Sequence, residues 1–204
     1  MKIDLNEVPA AQVYHLMTQT VIPRPIAWVL TDSGEQNYNL APFSYFSAVS
    51  SAPPLLMFSV GKKPTGEDKD TVVNAIKTKH MVIHISSAEQ YPTVTQTAAT
   101  LAHGESEVTA AKLDLSPIEG FPLPRLSDCA IAFACELYEI KQIGDVPQTL
   151  VFAKINSIYV NDEVTELDEK GRVKILANKV NPLSRLGAAE YAFMGEVISQ
   201  ARPK

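Results

Sequence analysis

The stretch Asn39-Leu-Ala-Pro-Phe-Ser-Tyr-Phe-Ser-Ala-Val-Ser-Ser-Ala-Pro-Pro54 interleaves hydroxyls at Ser44, Ser47, Ser50 and Ser51 with aromatic rings at Phe43, Tyr45 and Phe46. An extended ribbon of this kind offers backbone and hydroxyl hydrogen bonds beside flat apolar surfaces. That combination suits a planar heteroaromatic ligand with polar edges. The same alternation also fits a half-buried strand with small polar residues on one face and aromatic packing on the other; taken alone, the stretch favours this plainer reading. On its N-terminal side, Ile26-Ala-Trp-Val-Leu30 is an apolar run of strand length, and Thr31-Asp-Ser-Gly34 supplies turn chemistry, so the run and the extended stretch Tyr38–Ser51 read as a hairpin. On its C-terminal side, Leu55-Leu-Met-Phe-Ser-Val60 is apolar on both faces and reads as a buried strand.

Working outward, Val8–Thr20 has Val13, Leu16 and Met17 at helical spacing, and Pro23 and Pro25 stop any helix there. A polar loop, 61–69, precedes a short helix from Thr71 to about Lys79, with Asp70 as its N-cap and Val72, Val73 and Ile76 as its apolar face. Met81–Ile85 reads as a strand, Tyr91–His103 as a helix, and 104–125 as loop. Two long β segments follow, Ala130–Ile140 and Thr149–Val160; the tail, 173–194, holds a short strand and a helical stretch around Arg185–Tyr191. About six strands among three or four helices, without βαβ alternation, predict a mainly β antiparallel barrel with added helices. No repeat, low-complexity tract or linker divides the chain, so residues 1–204 read as one domain.

The 204 residues have 46% hydrophobic and 20% charged side chains, which excludes a disordered chain. A net charge of −5 argues against general binding to nucleic-acid backbones, and no apolar run approaches bilayer length. Cys129 and Cys135 are the only cysteines, and MKIDLNEVPA is not signal-like; a cytoplasmic location is expected. Gly-x-Gly, a Walker lysine loop, HExxH and GxSxG are all absent. The two cysteines would lie on one face of a β segment, ~20 Å apart and too far to pair. They and Trp28 read as core.

Three further places carry candidate chemistry. Lys69-Asp-Thr71 opens a helix, where unpaired N–H groups and partial positive charge can hold a phosphate. Glu67, Asp68 and Asp70 crowd the same loop with negative charge, and Asp70 as a plain cap beside a solvated Lys69 is the competing reading. Arg24 is held between Pro23 and Pro25, which restrict its direction, although a surface arginine at the start of a strand is the better reading without context. Asn74 reads as an exposed helix-face amide. His80 and His84 could share one strand face, more consistent with packing than with a metal.

In order, Pro23-Arg-Pro-Ile-Ala-Trp-Val29, the ribbon Asn39–Pro54, Lys69-Asp-Thr71 with Asn74, Cys135-Glu136, and Arg185-Leu-Gly187 with Tyr191 resemble the flavin reductase-like family with the FMN-binding split-barrel fold. The resemblance implies a six-stranded antiparallel split β-barrel, a homodimer, and FMN bound without a covalent bond near the subunit interface. It implies that Ser44, Tyr45, Phe46 and Ser47 lie along the isoalloxazine edge, and that Asn39 and Ser50 contact or support the flavin. Lys69 and Thr71 match positions near the ribityl phosphate, and Arg24 is a candidate for the phosphate or the pyrimidine edge. NADH or NADPH is the implied electron donor, with hydride passing to flavin N5 and no catalytic acid or base from the protein. Rival functions are a non-enzymatic FMN electron carrier, a reductase component supplying reduced flavin to an oxygenase partner, and a barrel without cofactor. The chain departs from the family where Lys154 stands for an acid and where Ala188-Ala189 follows Arg-Leu-Gly in place of a glycine pair.

Overall fold

Ile26 to Leu30 is apolar at every position, and the computed structural model, which describes residues 1–101, 105–201 and 203, buries all five side chains. A strand with period-2 side chains can do this only if both of its faces are covered. Strand β1 (Ala27–Asp32) accordingly divides two cores. Ala27 and Val29 face an inner cluster with Phe43, Phe58, Met81, Ile83, Cys135 and Val151. Ile26, Trp28 and Leu30 face an outer cluster with Val94, Val108, Leu126 and Cys129. Each large apolar side chain removed from water in this way contributes about 1.5–3 kcal/mol.

The other strands of the main sheet are β2 (Tyr38–Phe43), β3 (Phe46–Ser51), β4 (Pro54–Val60), β5 (His80–Ile85), β6 (Ile131–Ile143) and β7 (Gln148–Val160). Their order is β2-β1-β5-β6-β7-β4-β3, with every neighbouring pair antiparallel. The two edge strands, β2 and β3, are consecutive in the chain and joined only through Ser44 and Tyr45. So short a connection forces the sheet to roll until its edges lie side by side, and the Ser59 N–H donates to the Tyr45 carbonyl at 2.9 Å across that corner. The antiparallel split barrel is therefore present, with seven strands in its sheet where six were expected. The stretch Tyr38–Ser51 is two strands rather than one, because its halves belong to opposite edges.

Helix α1 (Ala10–Thr20) precedes the barrel, and α2 (Asp70–Thr78) packs Val72 and Ala75 into the inner core. The apolar face expected for α2 is corrected. Val73 and Ile76 are exposed, and Thr71, Val72, Asn74 and Ala75 are buried. Side-chain hydrogen bonds to β1 and β2 orient the helix more strongly than its two extra aliphatic residues. Asp70 is also not the N-cap: Lys69 takes that position with extended dihedrals, and Asp70 pairs with Lys63 at 2.9 Å.

Helix α3 covers Tyr91–Gln96, shorter than the expected 91–103, whose last two residues, 102 and 103, lie outside the described residues together with 104, the first of the expected loop. The Thr97 hydroxyl donates to the Val94 carbonyl and accepts the Trp28 indole N–H at 2.9 Å, so the turn closes on the buried tryptophan. A four-residue helix, α4 (Glu107–Ala110), occupies part of the expected loop. The expected helix at 185–191 is a small hairpin instead, Ser184–Arg185 with Tyr191–Ala192, and the same strand pairs with Arg24–Pro25. Alanine propensity is overridden there by strand pairing and by a turn in which Ala188 has φ 49°. Cys129 and Cys135 are both buried and unpaired, but they sit in different cores rather than on one face. Burial pushes each thiol up to about 12.

His84 is fully buried between β1 and a short strand, Arg125–Leu126. Its Nε2 accepts the Leu126 N–H at 3.0 Å, which places the ring proton on Nδ1, 3.0 Å from the Trp28 carbonyl. Burial pushes the imidazole down to about 4 from its ordinary 6.5. A proton therefore binds the unfolded chain first as pH falls. The contribution of His84 is complete above about pH 6.5 and is lost between that pH and about 4, at up to ~1.4 kcal/mol per pH unit. Urea titrations at pH 7 and 4.5 should show a larger loss for the parent than for His84→Gln; equal losses would contradict this assignment.

Candidate functional site

Four chain segments meet at Arg24. It is 5% exposed, against the surface position expected for it. Its Nη1 donates to the carbonyls of Thr18 (2.6 Å) and Val21 (2.7 Å), at the end of α1. Its Nη2 donates to the Leu186 carbonyl at 2.7 Å, and its Nε lies 3.4 Å from the Ser44 hydroxyl. Its guanidinium thus ties α1, the C-terminal hairpin and the β2–β3 corner to one point. Each of its nitrogens has a partner, and none of these is a carboxylate. The Tyr45 ring stands 6.0 Å from the guanidinium and 6.5 Å from the Tyr14 ring, and burial raises the Tyr45 phenol.

Asn39, on β2, donates from Nδ2 to the Thr71 hydroxyl at 3.0 Å, and both side chains are buried. This bond joins the ribbon to the start of α2. The amide of Asn74, expected on an exposed face, is buried and donates to the hydroxyls of Thr31 (3.2 Å) and Ser33 (3.1 Å). It holds α2 against β1.

The negative charge of the 61–69 loop is compensated locally. Lys62 pairs with Asp68 at 2.6 Å, Lys63 with Asp70, and Glu67 accepts from the Thr65 hydroxyl. Lys69 is half-buried and has no acid partner among the described residues. It caps α2 without a side-chain hydrogen bond, so the N–H groups of Asp70 and Thr71 at the helix start have no partner among the described residues.

Lys69, Thr71 and Asn39 line a cleft of about 350 Å³ with Lys62, Lys63 and the 97–101 segment. Glu107 also reaches it; its carboxylate accepts the Leu40 N–H at 2.9 Å, and burial raises its carboxyl. A second cleft, of about 570 Å³, shares Pro42 and Ala98 with the first and continues past Ser44 to Tyr14, Tyr91, Arg185 and Tyr191. The two together form a trough with lysines and helix N–H groups at one end and tyrosine rings at the other. Such a trough can take an elongated ligand with an anionic end and a flat end.

Of the residues singled out in the sequence, the structure brings Asn39, Lys69 and Thr71 together in the first cleft, Ser44 into the second, and Arg24 and Tyr45 to the corner behind it. Phe46 packs against the inner core. Ser47 and Ser50 lie on the exposed edge strand β3, outside both clefts; the Ser47 hydroxyl donates to Ala48, and the Ser50 hydroxyl accepts from the Ala52 N–H. Tyr14, Tyr91 and Glu107 were missed. Each comes from a helix distant in sequence, and nothing local to it signals that it joins a shared wall. Lys154, facing Glu136 across β6 and β7, lines neither cleft and makes no ion pair among the described residues.

Comparison with known proteins gives one consistent result. Residues 17–177 match the model of the flavin reductase like domain. The chain is 34% identical to YwrF of Bacillus subtilis, over 97% of each sequence. It superposes on nitrilotriacetate monooxygenase component B from Bacillus cereus with a TM-score of 0.88 at 35% identity, covering 98% of both chains. Against 2-nitrobenzoate 2-nitroreductase from Pseudomonas fluorescens the TM-score is 0.86 at 28% identity, covering 100% of this chain and 96% of the other.

Proposed function

The chain belongs to the flavin reductase-like domain family, and from that premise we propose that it binds FMN along the trough and works as an NAD(P)H-dependent flavin reductase. The observation that carries this reading is the end of the trough suited to an anion. Lys69 without an acid partner, the Thr71 hydroxyl, and two helix-start N–H groups converge there, and a phosphate monoester matches that donor set. Because Thr71 accepts from Asn39, its own hydroxyl proton is left for an acceptor in the cleft.

FMN supplies hydride acceptance at N5 when bound, a chemistry that no side chain of this chain offers. The protein's part is placement. Arg24 holds the Ser44 hydroxyl at the turn of the trough, acting through that serine rather than on the ligand. Pro42 and the Tyr14 ring, next to Ser44, give the flat end of the flavin apolar cover on one side, and the wall of Tyr91 and Tyr191 is left to a second substrate stacked against it. Ser47 and Ser50, exposed on β3 beside the corner, are available to a ligand or to a second protomer; the exposed edge supports a homodimer whose interface completes the site. Similarity to a monooxygenase component over nearly the whole chain supports a role as the reductase that supplies reduced flavin to an oxygenase partner. Among the described residues no helix is long and apolar enough to cross a membrane, and two buried free thiols fit the reducing cytoplasm.

Purified protein mixed with FMN and freed of excess ligand should retain the flavin absorbance near 450 nm, and anaerobic NADH or NADPH should bleach it. Retained flavin that neither nucleotide bleaches would convert the reading to an electron carrier. A folded protein that retains none would overturn it.

A further inference from the structure

The second cleft contains one charged side chain among the described residues, and it is positive. Arg185 lines a wall otherwise built from Tyr14, Tyr91, Tyr191, Ser44 and small or aliphatic residues. No acid pairs with it among the described residues. The guanidinium is nonetheless held in place. Its carbon stands 4.6 Å from the centroid of the Tyr191 ring, and Nη2 donates to the Ala188 carbonyl. Tyr191 is itself oriented, its hydroxyl 2.9 Å from that of Thr95 and its ring 6.4 Å from that of Tyr91. A pre-positioned arginine without a counter-ion, set among aromatic rings, is the chemistry that selects a flat molecule bearing an oxyanion. Aromatic surfaces take the ring, and the free N–H donors of the fork take the anion.

We propose that Arg185 is the specificity-determining residue for the second substrate, and that this substrate is a planar ring carrying an anionic oxygen group. The proposal rests on the FMN reading of the preceding section, because the ring would lie in the cleft next to Ser44. Two sources share the chemistry, an aromatic carboxylate and the pyrophosphate-bearing nicotinamide nucleotide.

Calorimetric titration of FMN-loaded protein with benzoate, with its neutral isostere benzamide, and with NADH separates them. Arg185→Met should weaken one anionic ligand about 10- to 100-fold, the size of a charge-assisted hydrogen bond, and leave benzamide unchanged. Arg185→Lys, which keeps the charge but not the fork, should recover part of the loss. A loss confined to benzoate assigns an aromatic carboxylate, and a loss confined to NADH assigns the nucleotide. Flavin retention and the melting midpoint, measured on the same samples, report whether the hairpin remains folded. Loaded, folded Arg185→Met that binds benzoate and NADH as the parent does would overturn the proposal while leaving FMN binding intact. Parent protein that retains no flavin would overturn the preceding reading, and this one with it.

Discussion

Arg24→Met is expected to lower folding stability by about 3 kcal/mol and to weaken FMN binding in the protein that remains folded. The substitution keeps much of the side-chain volume but leaves the carbonyls of Thr18, Val21 and Leu186 without the donors they have now, at 2.6, 2.7 and 2.7 Å. The Thr18 acceptor is buried and costs about 1–3 kcal/mol when left unsatisfied; those of Val21 and Leu186 are part-buried and cost less, because water reaches them. The sum is reduced because methionine relieves the cost of holding a charge in a site with no carboxylate. Urea unfolding at pH 7 measures the effect. Arg24→Lys should fall between parent and methionine variant, since one ammonium cannot span acceptors that the planar fork reaches from three nitrogens. An Arg24→Met protein with the parent's midpoint would show that the latch contributes nothing. The binding defect would follow from a loosened β2–β3 corner, because Ser44 and Tyr45 are the only residues between the two sheet edges.

Lys69→Ala should raise the FMN dissociation constant about 10- to 100-fold with little change in stability. Lys69 is half-buried and has no ion pair among the described residues to lose, so its removal costs the fold little. A phosphate beside it would lose a charge-assisted hydrogen bond worth about 1.5–3 kcal/mol. Riboflavin, which lacks the phosphate, provides the internal control: its affinity should be the same in parent and variant. The difference between the two flavins should also shrink as salt is raised, because part of the interaction is between partly exposed charges. Equal FMN affinity in parent and variant would move the phosphate away from the start of α2.

How much of this was legible in the sequence differs by residue. The hairpin of β1 and β2, the strand after Pro54, the two long strands and the helix after Lys69 follow from periodicity and turn chemistry, which act over a few residues. The buried Trp28 and both cysteines follow from their side chains. That Lys69 and Thr71 stand at a helix start was legible, and a helix start offers N–H groups whatever surrounds it. Arg24 was not: between two prolines it reads as a surface residue, and only the arrival of the Leu186 carbonyl, 162 positions later, makes it a buried latch. Asn74 reads as a solvated amide until Thr31 and Ser33 are brought to it.

Local pattern thus determined most element types, the class of fold and the helix start at Lys69, since helix starts, turns and alternation depend on neighbours in the chain. Tertiary structure decided which face of α2 is buried, that 185–191 forms a hairpin, and that three tyrosines from distant segments line one wall around Arg185. Those outcomes depend on which backbone carbonyls and hydroxyls meet when the chain folds, and the partners are far apart in sequence, Arg24 and Leu186 by 162 positions and Asn74 and Thr31 by 43, so no short window contains both members of either pair.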